Sequence, residues 1–194
     1  MSSAPSAAVE KIQRCHLSQW QVCNKNPLIG VRAEITVKKS IEASIIRQHL
    51  RGTVRLIDQT EKRLLPDILA TVCGRHLGFD IRHWTATRAR GGRIYPSREF
   101  YEYARGESSL TTYLQDTQRF LYVGFELAVI DPSGNRERRL FCVPGVWLQA
   151  QFAIRTGISI DEIADLWPSF GKNRSLLYDI DLWKLIEIAD QGGR

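Results

Sequence analysis

Arginine is the residue this chain concentrates where chemistry could be done. Between Ile81 and Arg98 stand Arg82, Arg88, Arg90, Arg93 and Arg98, with His83 among them and no acidic residue in the span. A guanidinium is planar, permanently charged and shaped to hold two phosphate oxygens at once. Gly91-Gly92 within the run lets the backbone approach an anion closely. Trp84, Tyr95, Phe100, Tyr101 and Tyr103 are interleaved nearby and offer faces on which exposed bases stack. These residues predict a site for nucleic acid or nucleotide phosphate. The competing reading is a solvated basic hairpin whose aromatic residues belong to the core.

His83, with Glu99 and Glu102 close behind it, supplies the residue types for general acid–base work in phosphodiester cleavage, the arginines stabilising developing negative charge. Such carboxylates also serve as ordinary surface partners of neighbouring arginines. Phosphate-loop, dinucleotide-binding, zinc-protease and serine-hydrolase motifs are all missing, so whether the chain is an enzyme stays open and no cofactor is implied. No metal site is expected. Cys73-Gly-Arg-His76 has a C-x-x-H spacing and Cys15-His16 precedes Cys23, but structural zinc sites show two compact ligand pairs. The four cysteines read as reduced thiols of a cytoplasmic protein.

A second basic element is Gly134-Asn-Arg-Glu-Arg-Arg139, following the apolar run Glu126-Leu-Ala-Val-Ile-Asp131. Over about a dozen residues this strand and glycine turn, with Arg136, Arg138 and Arg139, resembles the Gly-x-x-Arg turn of ParB/sulfiredoxin-type domains. That superfamily includes plasmid partition proteins, plasmid fertility-inhibition factors and nucleotide-dependent enzymes acting on DNA or phosphate. The resemblance implies a DNA-acting factor of a mobile element, a nuclease or a nucleotide hydrolase, with Arg136, Arg138 and Arg139 on the phosphates. The chain departs from the family where a helix should follow, because Leu140-Phe-Cys-Val143 reads as a strand.

The elements that must position these residues follow from periodicity. Ile29, Val31, Ala33, Ile35 and Val37 alternate with polar residues and predict a strand. A helix is expected over 41–50 with Ser40 as its cap, then a strand through Val54 and Leu56. Leu65, Ile68, Leu69 and Val72 have helical spacing, with Pro66 suited to a first turn. A strand is expected from Phe79 towards Thr87, short helices over 97–103 and 108–118, and a helix near Val9 to Trp20. Leu121 to Val129 predicts a central strand, turned at Asp131-Pro-Ser-Gly-Asn135 into a partner over 139–143. Helices follow around Trp147 to Ile154, after Ser159 with Glu162 as a capping box, and over Leu182 to Ala189. The fold class is therefore α+β, a single mixed or antiparallel sheet of about five strands with helices packed on it and a C-terminal helical pair. The last two helices are too far apart, and too acidic at their starts, for a helix-turn-helix.

The chain has 194 residues, a net charge of +6 and 25% charged residues. Its hydrophobic fraction of 43% is that of a globular domain, which excludes a disordered or fibrous chain. No apolar run reaches the roughly 18–20 residues of a membrane span, and no signal-like segment opens the chain. Residues 159–190 carry seven acids against three bases, so the chain divides into a basic α+β domain over 1–158 and an acidic helical segment over 159–194 packed on it. Nucleic acid or nucleotide is the expected partner, through the basic part. The alternatives are a non-catalytic interaction or inhibitor module, whose acidic segment holds a protein partner, and a small-molecule enzyme.

Overall fold

A computed structural model describes residues 27–57, 66–87, 93–94, 119–130, 134 and 136–193. The expected helix near Val9 to Trp20, the helices over 97–103 and 108–118, and most of the 131–135 turn lie outside the described residues, as do Cys15, His16 and Cys23.

The first described element is a helix, α1 (Pro27–Arg47), where sequence periodicity predicts a strand followed by a separate helix. The reason lies in a spacing of four, which both periods share. Ala33, Val37, Ile41 and Ile45 are buried, and a strand would also have buried Ile35 while exposing Glu34, Ser40 and Ser44. Instead Ile35 is 38% exposed and those three polar residues are buried. Pro27 occupies the first turn, where its missing N–H costs nothing, and Lys38 pairs with Glu42 one turn on at 2.5 Å.

Strand β1 (Gly52–Leu56) leads to β2 (Ile68–Val72), which replaces the helix predicted over 65–72. Ile68, Ala70 and Val72 alternate into the core. What overrides the helical spacing is a two-residue turn, Cys73-Gly74, with φ of 50° and 81°. Two left-handed residues in succession match the twist of a hairpin and fold β2 back on β3 (Arg75–Thr87).

After the two-residue strand β4 (Arg93–Ile94), β5 (Arg119–Ile130) runs parallel to β3, and β6 (Arg136–Pro144) returns antiparallel as the predicted hairpin. Helix α2 (Gly145–Ile154), strand β7 (Ile158–Ser159) and helix α3 (Ile160–Leu166) follow, then β8 (Ser169–Gly171) and helix α4 (Leu182–Asp190). The result is a six-stranded mixed sheet in the order β1-β2-β3-β5-β6-β8, with β4 paired to β7 apart from it. The α+β expectation holds, with one strand more than expected in the main sheet. Two of its strands, β2 and β8, were not expected, and the strand expected over 29–37 is part of α1.

The sheet's two faces follow from register. Phe79 and Tyr122 are cross-strand partners and stack at 5.6 Å, so they, Ile81, Gly124 and Glu126 share one face, while Asp80, Arg82, Val123 and Phe125 share the other. Helices α1 and α4 cover the first face. Ser40 Oγ accepts the Tyr178 N–H at 2.9 Å and donates to Thr36 O, and the Tyr122 hydroxyl donates to Leu185 O. Each fully buried Val, Leu or Ile here contributes on the order of 1.5–3 kcal/mol. Helix α3 is capped by Ser159, whose Oγ accepts from Asp161 N at 3.2 Å. Glu162 does not close the capping box; it takes the Arg155 fork at 2.9 and 2.5 Å.

Candidate active site

Among the described residues, two buried acids lie where β2 and β3 part. The ladder's last pair there is Ile68 with Phe79, so the next residues outward, Asp67 and Asp80, stand opposite one another. Both are buried, at 8% and 6% exposure. A buried carboxylate is costly unless hydrogen bonds or a counter-charge compensate it. Asp67 Oδ2 accepts the Ile81 N–H at 2.7 Å, and Asp67 O accepts the Ile57 N–H at 2.9 Å, which ties its backbone to the end of β1. Asp80 Oδ2 accepts from Arg82 Nη2 at 2.7 Å, two residues along β3 and therefore on the same face. Two buried acids therefore flank the end of the β2–β3 ladder, Asp67 bonded to the β3 backbone and Asp80 to a guanidinium.

That donor set suits a hard divalent cation. Magnesium is commonly held by one or two carboxylates, its remaining positions filled by water and substrate phosphate. Among the described residues no group of three or more His, Cys, Asp or Glu side chains is placed to hold an ion. Glu34 is a third buried acid, on the inward face of α1.

The predicted site residues fare differently. Arg82 is described and is not without a counter-ion: its acid, Asp80, lies two positions upstream, just outside the acid-free span. Arg93 is exposed on β4, in register with Ser159 of β7. His83 holds a position in β3 in register with Glu126 of β5. Arg88, Arg90, Arg98, Glu99 and Glu102 lie outside the described residues. The hairpin arginines are split by strand alternation: Arg136 and Arg138 fall on one face of β6 and Arg139 on the other. Arg138 Nη1 is 3.6 Å from Glu126 Oε1, and Arg139 pairs with Glu137 at 3.2 Å and donates to Ser169 Oγ at 3.0 Å.

Cys73 and His76 sit in the β2–β3 turn region, both exposed, with His76 Nδ1 3.1 Å from Thr71 Oγ1. Sequence reasoning passed over Asp67 and Asp80. The signal was there in Asp80-x-Arg82 at strand spacing, but a helix assigned over 65–72 made Asp67 an ordinary acid of a first turn.

Glu126 is a fourth buried acid, on the opposite face of the sheet from Asp80. It accepts from the Tyr178 hydroxyl and lies 3.0 Å from Lys172 Nζ. Burial, and then the charge of Glu126 and the hydrogen bond to it, hold the Tyr178 hydroxyl protonated well above the ordinary range.

No protein-family model and no curated protein matches the sequence. Among solved structures, the chain is similar to Hjc, a Holliday junction resolvase of the archaeal hyperthermophile Archaeoglobus fulgidus. The identity is 14% over 68% of this chain and 91% of that one, with a TM-score of 0.39. So loose a likeness carries neither fold nor chemistry across. No helix among the described residues is long and apolar enough to cross a membrane.

Proposed function

We propose that this protein is a divalent-cation-dependent nuclease acting on DNA, with Asp67 and Asp80 holding the cation and Arg82 flanking the scissile phosphate. The observation that carries the reading is the opposition of two buried carboxylates across β2 and β3 with a guanidinium on the same strand face. A bound magnesium ion supplies Lewis-acid polarisation and neutralises charge on the phosphate. The chain's own part is positional. Asp67 is fixed by the Ile81 N–H, Asp80 is oriented by Arg82, and Arg82 can exchange Asp80 for a phosphate oxygen as charge builds there. The net charge of +6 favours a polyanionic substrate, and the arginines over 82–98 are the residues proposed to follow its backbone. His83, Glu99 and Glu102 remain candidates for proton transfer beside them.

The test is incubation of the full chain with supercoiled plasmid in magnesium and, in parallel, in EDTA. The reading expects nicked or linear product in magnesium alone. Intact plasmid in both would overturn it.

One observation favours a non-catalytic interaction module. Arg82, Arg138 and Arg139 each have a carboxylate within ion-pair distance, which lowers their availability to phosphate. That reading expects no cleavage and an affinity for DNA that salt hardly changes.

A further inference from the structure

Glu126 is only 4% exposed, yet two cations converge on one of its oxygens. Lys172 Nζ is 3.0 Å and Arg138 Nη1 3.6 Å from the same Oε1, and the Tyr178 hydroxyl donates to it as well. Lys172 also lies 5.0 Å from the centre of the Tyr178 ring, so its ammonium is held by an aromatic face as well as by the carboxylate. Among the described residues, one carboxylate stands between two cations. The cluster reaches the surface, because the Arg138 side chain is 55% exposed while that of Lys172 is 20%.

Register places Arg138 in one cross-strand row with the last residue of β3. Ala128 of β5 is in register with Thr87 of β3 on one side and Arg138 of β6 on the other. Thr87, the last residue of β3, and Arg138 therefore flank Ala128 in one cross-strand row. Lys172 comes from the tail after β8, tied by its backbone N–H to Arg138 O at 3.3 Å. Two cations that the fold draws from separate segments to one buried carboxylate, one of them exposed, suit a singly charged phosphodiester.

We propose that Arg138 and Lys172, held by Glu126, form a subsite for a backbone phosphate of the nucleic acid, away from the carboxylate pair on the other face of the sheet. It rests on the reading of the protein as acting on nucleic acid, and makes the acidic C-terminal segment a contributor to binding through Lys172. Glu126 sets the strength of the subsite, since it competes with the phosphate for both cations.

The test is binding of the full chain to a short labelled DNA duplex in EDTA across a sodium chloride series, where cleavage plays no part. Arg138→Gln, at an exposed side chain, should weaken binding about tenfold and make the salt slope shallower by about one. Glu126→Gln keeps an acceptor for Tyr178 and frees both cations, so it should bind tighter with a steeper slope. Affinity and slope unchanged in Arg138→Gln would overturn the proposal, and so would Glu126→Gln losing affinity together with thermal stability, the signature of a purely structural network. Should Glu126→Gln fail to fold by circular dichroism, Arg138→Gln alone decides. Inorganic phosphate should displace the duplex no better than chloride at equal ionic strength; stronger displacement that vanishes in Arg138→Gln would assign the subsite to free phosphate and overturn the nucleic-acid assignment. Failure of the nuclease reading shows itself separately, as absent cleavage in magnesium with this binding intact.

Discussion

Asp67 Oδ2 reaches across from the start of β2 to accept the Ile81 N–H of β3 at 2.7 Å, where the two strands part. The bond holds a carboxylate opposite Asp80 and satisfies a buried backbone donor. It therefore links the stability of the sheet to the chemistry proposed for it, and the two are separable by substitution.

Asp67→Asn retains an acceptor for the Ile81 N–H, whereas Asp67→Ala removes it. Leaving a buried donor unsatisfied costs about 1–3 kcal/mol. Denaturant unfolding should place Asp67→Asn within about 1 kcal/mol of the parent and Asp67→Ala clearly below it, while plasmid cleavage is lost in both. Cleavage retained by Asp67→Asn would remove Asp67 from the proposed cation pair.

Gly124 lies on β5 between β3 and β6, and a Cβ added there would come 2.8 Å from Ile81 Cδ1 and 3.2 Å from Leu140 Cδ1. Both atoms are the ends of side chains that can shift, so Gly124→Ala should cost near the lower end of the roughly 1–3 kcal/mol typical of overpacking. Ile81 sits between Asp80 and Arg82 and donates to Asp67, so a shift there reaches the site. The measurable outcome is a cleavage rate reduced more than the loss of folded protein accounts for.

Alkaline stability has a definite sign. Burial raises the Tyr122, Tyr178 and Cys142 pKa values above their ordinary 10.0, 10.0 and 9.0. The folded state keeps these protons while the unfolded chain releases them. Stability is therefore fully present below pH 9 and falls as pH rises from there. Each such group adds about 1.36 kcal/mol per pH unit to the decline. Unfolding free energy measured from pH 8 to 11 should fall less steeply in Cys142→Ala and in Tyr122→Phe than in the parent.

The β5–β6 hairpin, β1 and the helices after Pro144 were legible because their apolar spacing matches only one period and their turns carry Gly, Pro or a capping side chain. Residues 29–40 and 65–72 were not. In the first, the i+4 spacing of Ala33, Val37, Ile41 and Ile45 satisfies strand and helix alike. In the second, Leu65, Ile68, Leu69 and Val72 mimic a helix until Cys73-Gly74 commits the chain to a hairpin. The site suffered with them. Arg82 was visible as a charge, but its relation to Asp80 needs the strand, and the opposition of Asp67 to Asp80 needs the hairpin register. The Glu126 cluster joins β5, β6 and residues far along the chain, a juxtaposition no local pattern records.

The most direct test is the single-turnover cleavage rate of Asp80→Asn at saturating DNA and magnesium. Loss of an outer-shell partner alone costs a metal site up to about a hundredfold, so removing a cation-holding carboxylate should cost more than that, with DNA affinity in EDTA unchanged. A rate within twofold of the parent would contradict the account.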